Sequence, residues 1–246
     1  MKQPHFYAVI IGTEILNGRR RDKHFEYVRN ALAGRGHDLH ASLIVKDEKA
    51  LIARTFQMVG ADSDAVMFSF GGIGSTPDDL TREIAAEVFT RRPLQRHKGF
   101  ERDIIERFGD EAYPHRIHMS DLPEGARLLR NPVNNMSGFF LKERFFFMPG
   151  FPEMSHPMVD EALERFFPAA AARYRKTLKA RTSENSLIHI MNELPPHIEL
   201  SSLPKFVDGA ANVEISVASQ SSEETARWFR RFTDELDARA IAYTLL

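Results

Sequence analysis

Along the first part of the chain, short apolar runs alternate with stretches whose apolar residues recur every three or four positions. Residues 6–11 (FYAVII) form one such run and end at Gly12, the pattern of a buried strand. After the turn-like GTEILNGRRR, Asp22 precedes Phe25, Val28 and Leu32 on one helix face, and Gly34 and Gly36 close it. Residues 39–45 (LHASLIV) read as a strand, and Asp47 is placed to cap a helix carrying Leu51, Ile52, Phe56 and Val59, stopped by Gly60. Residues 65–70 (AVMFSF) make a further strand that runs directly into GGIGSTPDD, and residues 80–89 have helical spacing. This repeated order predicts an α/β fold, a sheet with helices packed on its faces.

Residues 91–124 are irregular and charged, with one helix near 99–108. Strand-like pieces follow at 127–130, 138–141 and 144–148, then the turn cluster Pro149-Gly150-Phe151-Pro152 and a helix over 153–167. The remainder has another rhythm: strand 174–182, helix 184–194, strands 199–206 and 213–218, helix 222–239 with Ala226, Phe229, Phe232 and Leu236 on one face, and a last strand at 241–245. That order, β-α-β-β-α-β, is the split-βαβ arrangement. Pro168 and the alanines at 169–172 mark a boundary, giving an α/β domain over 1–168 and a small α+β domain over 173–246.

Composition narrows the function. At 246 residues, 43% hydrophobic and 27% charged, the chain has the balance of an ordinary globular protein. A net charge of −1 argues against a dedicated nucleic-acid binder. The absence of cysteine removes disulfides, thiolate zinc sites, iron–sulfur ligation and a cysteine nucleophile, and fits a reducing cytoplasm. The N-terminal apolar stretch is too short for a signal-peptide core, and no run reaches membrane-spanning length. The expected partner is therefore a small molecule, not nucleic acid or a membrane.

The strongest chemical signal is Gly71-Gly72-Ile73-Gly74-Ser75-Thr76-Pro77-Asp78-Asp79-Leu80-Thr81, between a strand and a helix. Glycines let backbone amides approach a ligand closely, and a following helix adds unpaired donors, so such a loop can hold a phosphate. Half of it has a plainer explanation: Thr76 suits an N-cap, Pro77 the first helical position, and Asp78 and Asp79 the helix dipole. That leaves Gly71, Gly72 and Gly74 to be explained. A carboxylate about 4 Å from a phosphate charge costs on the order of 4 kcal/mol at an effective dielectric near 20. A helix end returns only about 0.3–2 kcal/mol. A divalent cation such as Mg²⁺, held by Asp79 with Asp78, resolves the conflict.

These residues resemble the GG-x-G-x-T-x-DD-x-T loop of the MoaB/Mog-like molybdopterin-binding domain, in the form found at the N-terminus of competence/damage-inducible protein A and its stand-alone relatives. Three further segments match in order: Gly12-Thr13-Glu14-Ile15-Leu16-Asn17-Gly18, Asn131-Pro132-Val133 followed by Gly138-Phe139, and Met148-Pro149-Gly150-Phe151-Pro152. The resemblance implies a three-layer molybdopterin-type α/β fold, usually oligomeric, whose ligand is a phosphorylated pterin or a nucleotide. It implies metal-assisted phosphoanhydride chemistry, either adenylyl transfer to molybdopterin or hydrolysis of an ADP-ribose-type pyrophosphate. Carried over by position, Asp79 is the metal-associated acid, Asp47 a second acidic position, and Gly12, Glu14, Gly71, Gly72, Gly74, Thr76 and Gly138 are ligand-loop positions. Asp79, Asp47 and Glu14 are the candidate catalytic set. Thr13, Ser75, Thr81, Ser137, Pro149 and Gly150 complete the candidate ligand-binding set. Thr13, His24, Ser75 and Met136-Ser137 depart from the family pattern, which gives weight to an alternative, a non-catalytic ligand-binding module. Too few residues follow the first domain for the nicotinamide-mononucleotide deamidase domain of longer relatives.

Other features read more plainly. Glu14 is equally a turn carboxylate, Asp47 a plain cap, and Arg19–Arg21 a solvated turn or an anion clamp over the same pocket. His115 and His118 have metal-like spacing without further ligands, and His5, His37, His40, His97, His156, His189 and His197 read as surface or packing residues.

Overall fold

The apolar runs become strands and the spaced stretches become helices, in the order β1 (His5–Ile11), α1 (Thr13–Leu16), α2 (His24–Ala33), β2 (Leu39–Val45), α3 (Lys49–Ala61), β3 (Ala65–Phe70), α4 (Thr81–Ala85), β4 (Gln95–Arg96), α5 (Lys98–Phe108), β5 (Asp121–Leu122), β6 (Arg127–Leu129), β7 (Gly138–Leu141), β8 (Phe145–Met148) and α6 (Pro152–Phe166). This computed structural model describes residues 4–170, 173–207 and 209–246. The chain divides into two units between residues 169 and 170. Ala171 and Ala172, the end of the alanine run, and residues 1–3 of the N-terminal stretch lie outside the described residues.

In the first unit six strands form one sheet in the order β2-β1-β3-β8-β7-β6. Strands β2, β1, β3 and β8 are parallel, while β7 runs against β8 and β6 against β7. Alternation along β1 separates two cores. Tyr7, Val9 and Ile11 pack with Ile52 and Phe56 of α3, Ile84 of α4 and Ile104 of α5. Phe6, Ala8 and Ile10 pack with Val28 and Leu32 of α2 and with Met158 and Leu163 of α6. Every residue of β3 is buried, as expected for a parallel strand covered on both faces. Phe6, Phe68, Phe70, Phe146 and Phe147 are fully buried, each worth roughly 1.5–3 kcal/mol of transfer free energy. Among the described residues no helix is long and apolar enough to cross a membrane.

Several local expectations change. In α2 the buried stripe is His24, Val28 and Leu32, so Phe25 points outward at 44% exposure. The i, i+4, i+8 spacing selects the imidazole because it stacks on Phe70 at 4.3 Å. Helix α3 starts at Lys49 with Glu48 at the cap position, and Asp47 does not cap it. Thr76 does not cap α4, which begins only at Thr81; the T-P-D-D segment is a separate turn. Residues Ala86–Thr90 continue α4 as a π-helical turn that ends at Arg91 with φ 56°.

The second unit contains β9 (Tyr174–Ala180), α7 (Ile188–Met191), β10 (Glu199–Val207), β11 (Ala210–Ser219), α8 (Ser222–Ala238) and β12 (Tyr243–Leu245). Its antiparallel order, β10-β11-β9-β12, places β11 between β9 and β10, which is the split-βαβ topology. The expected helix at 184–194 is instead a 3₁₀ turn, Glu184–Ser186, followed by α7, because Leu187 at φ −119° interrupts it. On α8 the buried face is Thr225, Phe229, Phe232 and Leu236, with Thr225 in place of Ala226. The Thr225 hydroxyl donates to the carbonyl of Tyr174 at 3.2 Å, which satisfies it inside that core.

Candidate functional site

The carboxyl ends of β1, β2, β3 and β8 open onto one cleft of about 560 Å³. This is where ligands bind in open α/β sheets. Its walls include Glu14 after β1, Asp47 after β2, the loop from Gly71 to Asp79 after β3, and Pro149, Gly150 and Phe151 after β8. Arg20, Phe108, Arg116, Met119, Asn134, Met136 and Met154 close the remaining sides.

The glycine loop is shaped by close approach. Gly71 has φ 101°, and a Cβ there would stand 2.4 Å from the carbonyl oxygen of Ile11. Gly72 has φ 69°, with Thr81 Oγ1 at 2.4 Å from a built Cβ. Both positions require glycine. Thr81 is fully buried, and its hydroxyl donates to the Gly71 carbonyl at 2.9 Å, so it holds the loop from behind. The buried guanidinium of Arg82 donates through Nη1 to the carbonyls of Ile73 and Gly74. Burial pulls the Arg82 pKa down, and the nearby Asp79 carboxylate opposes that shift. With these carbonyls tied back, the amides of Gly72, Ile73, Gly74 and Ser75 take no hydrogen bond among the described residues. Four successive amides without a partner beside a cleft are the donors that an anion-binding concavity uses.

The acidic residues are individually anchored. Asp79 Oδ2 accepts from Thr76 N at 2.8 Å and Thr76 Oγ1 at 2.6 Å, and it lies where a Cβ on Gly74 would sit. Asp47 Oδ2 accepts from Thr13 N at 2.7 Å and Thr13 Oγ1 at 2.8 Å. Glu14 faces Arg20 Nη1 at 3.8 Å. Each aspartate therefore uses one oxygen locally and keeps the other. Hard carboxylate donors beside an anion site fit a Mg²⁺-class ion, which takes one or two carboxylates plus ligand phosphate oxygens. No three of these carboxylates lie within one ion's reach among the described residues, so the protein alone forms no complete cage.

The cleft thus gathers Glu14, Asp47, Gly71, Gly72, Gly74, Ser75, Thr76, Asp78, Asp79, Pro149 and Gly150 from the sequence-based set. Gly12, Thr13, Thr81, Ser137 and Gly138 do not line it. Gly12 makes room for the Glu14 carboxylate, 2.9 Å from a built Cβ, and Thr13 anchors Asp47. Gly138 lets β7 approach β8, where a Cβ would meet the Phe147 carbonyl at 2.5 Å, and Ser137 is buried. Sequence reasoning missed Phe108, Arg116, Met119, Asn134 and Met154. Phe108 and Met154 lie on the expected helices α5 and α6, while Arg116, Met119 and Asn134 come from segments with weak periodicity; Arg116 stacks on Phe108 at 4.7 Å. Arg20 belongs to the Arg19–Arg21 run, and its guanidinium lies 5.3 Å from the Phe151 ring. His24 lies behind the end of β3: its ring stacks on Phe70, and burial lowers its pKa to about 4.

A three-layer sheet with a glycine loop and carboxylates gathered at its strand ends is the architecture of a molybdopterin-binding-type α/β domain. Residues 7–169 match the family described as "Probable molybdopterin binding domain", and the chain belongs to that family. It is 28% identical over 247 residues to a protein of Caldivirga maquilingensis, covering 95% of this chain and 96% of that one. It is also 30% identical over 249 residues to a CinA-like protein of Citrifermentans bemidjiense, again over 95% of this chain but only 57% of the relative, so it spans little more than half of that protein. The crystal structure of a CinA protein of unknown function from Thermoplasma acidophilum aligns at 26% identity with a TM-score of 0.59, over 65% of this chain and 97% of that one. The chain is therefore a relative of the CinA proteins within that family.

Proposed function

We propose that the cleft binds a phosphorylated pterin or nucleotide together with a divalent cation and acts on its phosphoanhydride. The observation that carries this reading is the run of unpaired amides from Gly72 to Ser75, set against Asp47 and Asp79 in one cleft. The loop amides hold phosphate oxygens, and Arg20 and Arg116, which also line the cleft, add positive charge. Phe108, Met119 and Met136 offer an apolar wall for a flat ring. Asp47 and Asp79 would hold the cation through the oxygens that Thr13 and Thr76 leave unused. Bound there, the cation supplies charge neutralisation and activation of water. Glu14 lines the same cleft and would take a proton from the attacking group.

A second reading is a binding module without turnover. The separation of the cleft carboxylates and the local anchoring of both aspartates favour it. One experiment separates the two. Purified protein is offered ADP-ribose with Mg²⁺, Mn²⁺ or Co²⁺, and both turnover and binding are followed. Turnover abolished by Asp79→Asn supports the enzyme, whereas binding without turnover supports the module. No binding of ADP-ribose or of a phosphorylated pterin overturns both.

A further inference from the structure

At the opposite end of the sheet from the cleft, three groups converge that the sequence scattered. His5 opens β1, His40 lies near the start of β2, and Asp62 follows the C-terminus of α3. One donor atom from each lies within 4.8 Å of the other two. His5 Nδ1 shares a hydrogen bond with Asp62 Oδ2 at 2.8 Å. The rings of His5 and His40 stack at 4.4 Å with an interplanar angle of 13°. His5 and His40 are therefore members of one cluster, not separate surface residues.

The backbone is built to bring them together. Phe6 pairs with Leu39 and Tyr7 with Ala41, so His40 is an extra residue in β2, a bulge in a parallel pair. Bulges are rare between parallel strands, and they re-aim a side chain at the cost of ladder regularity. Here the re-aimed side chain is an imidazole, set against His5 and 5.1 Å from the Tyr7 ring. Asp62 is held in turn: Tyr7 OH donates to Oδ2 at 2.9 Å, and the Asp64 amide donates to Oδ1 at 2.9 Å. Such partners orient the first ligands of a metal site. Arg144 is close but spends its guanidinium on the carbonyls of Asp62 and Ala65, so among the described residues the carboxylate has no arginine partner.

We propose that His5, His40 and Asp62 bind a first-row transition-metal ion of the Zn²⁺ class. Ligands at about 2.0–2.1 Å in a tetrahedral site stand roughly 3.3 Å apart. The His5–Asp62 contact of 2.8 Å and the outer limit of 4.8 Å bracket that spacing. The exposed His40 ring tilts out of the stack to direct its lone pair at the ion, and the ion displaces the proton shared by His5 and Asp62. Solvent takes the fourth position. Two imidazoles and one carboxylate select Zn²⁺, Co²⁺ or Ni²⁺ over Mg²⁺. The bound ion ties the starts of β1 and β2 to the end of α3. It is chemically and spatially separate from the cation proposed for the cleft.

The test is calorimetric titration of the full chain with ZnCl₂ in excess MgCl₂, with CoCl₂ as a spectroscopic probe. Stoichiometric Zn²⁺ binding is expected, with a raised melting temperature and a tetrahedral Co²⁺ visible spectrum. His40→Ala, at an exposed position, should weaken binding by at least about 10-fold, the loss that even an outer partner of a metal ligand produces. Asp62→Asn should do the same, while Asp79→Asn and the control His189→Ala should leave Zn²⁺ binding unchanged. Titrations of wild type and His40→Ala that superimpose, or a Co²⁺ spectrum that survives His40→Ala, would overturn the proposal.

Discussion

The Asp47 carboxylate accepts both the backbone amide and the hydroxyl of Thr13, at 2.7 and 2.8 Å, through a single oxygen. Two cleft loops, one after β1 and one after β2, are thereby fastened to each other. Hydrogen bonds to a charged group are worth about 1.5–3 kcal/mol when shielded, and this half-buried pair falls at or below the low end. Thr13→Val should lower stability by about 1 kcal/mol, read from the urea midpoint, and weaken ADP-ribose binding modestly. Asp47→Asn should weaken metal-dependent binding more than Thr13→Val does; equal effects would show that Asp47 acts only as an anchor.

Gly71→Ala meets both a positive φ and the Ile11 carbonyl. A strained residue of this kind costs of order 1–3 kcal/mol before the clash is added. Gly34→Ala, at φ −61° and with no atom nearer than 3.4 Å to its built Cβ, should change stability by no more than about 1 kcal/mol. Thermal melts of the two variants compare them directly.

Burial lowers the His24 pKa from 6.5 to about 4. The unfolded chain therefore binds a proton that the native state refuses between those values. Stability is fully present above pH 6.5 and falls as pH drops from about 6.5 towards 4, by about 3 kcal/mol in all. His24→Phe should flatten that part of the pH–stability curve. An unchanged slope would assign it to other groups.

Arg82 spans two loop carbonyls with one guanidinium. A lysine carries its donors on a shorter side chain as a flexible point charge and loses the fixed planar geometry that holds both carbonyls. Arg82→Lys should destabilise by about 1–3 kcal/mol and raise the Kd for ADP-ribose, because the loop amides lose their fixed arrangement. Calorimetric binding and a denaturant melt report the two effects separately.

The sheet was legible because its strands are continuous apolar runs punctuated by glycine, and the six residues of β3 are buried as that pattern requires. The glycine loop was legible for the same reason. Capping was not, since Thr76 and Asp79 satisfy each other and form a turn before the helix begins. Asp47 likewise has a partner 34 positions away that no local pattern reveals. The wall containing Arg116 and Met119 comes from a segment whose shape depends on tertiary contacts such as the Arg116–Phe108 stack. The helix face of α8 slipped by one residue because Thr225 and Ala226 are both small, and only the Tyr174 carbonyl decides which is buried.

Strand β2 is an outer strand of its sheet, and the additional residue at position 40 kinks it near its start. A straight outer strand offers a regular row of amides and carbonyls on which a strand from another molecule can add. The bulge breaks that row, so this flank of the sheet resists fibre-like growth by strand addition, unlike an outer strand whose ladder is regular.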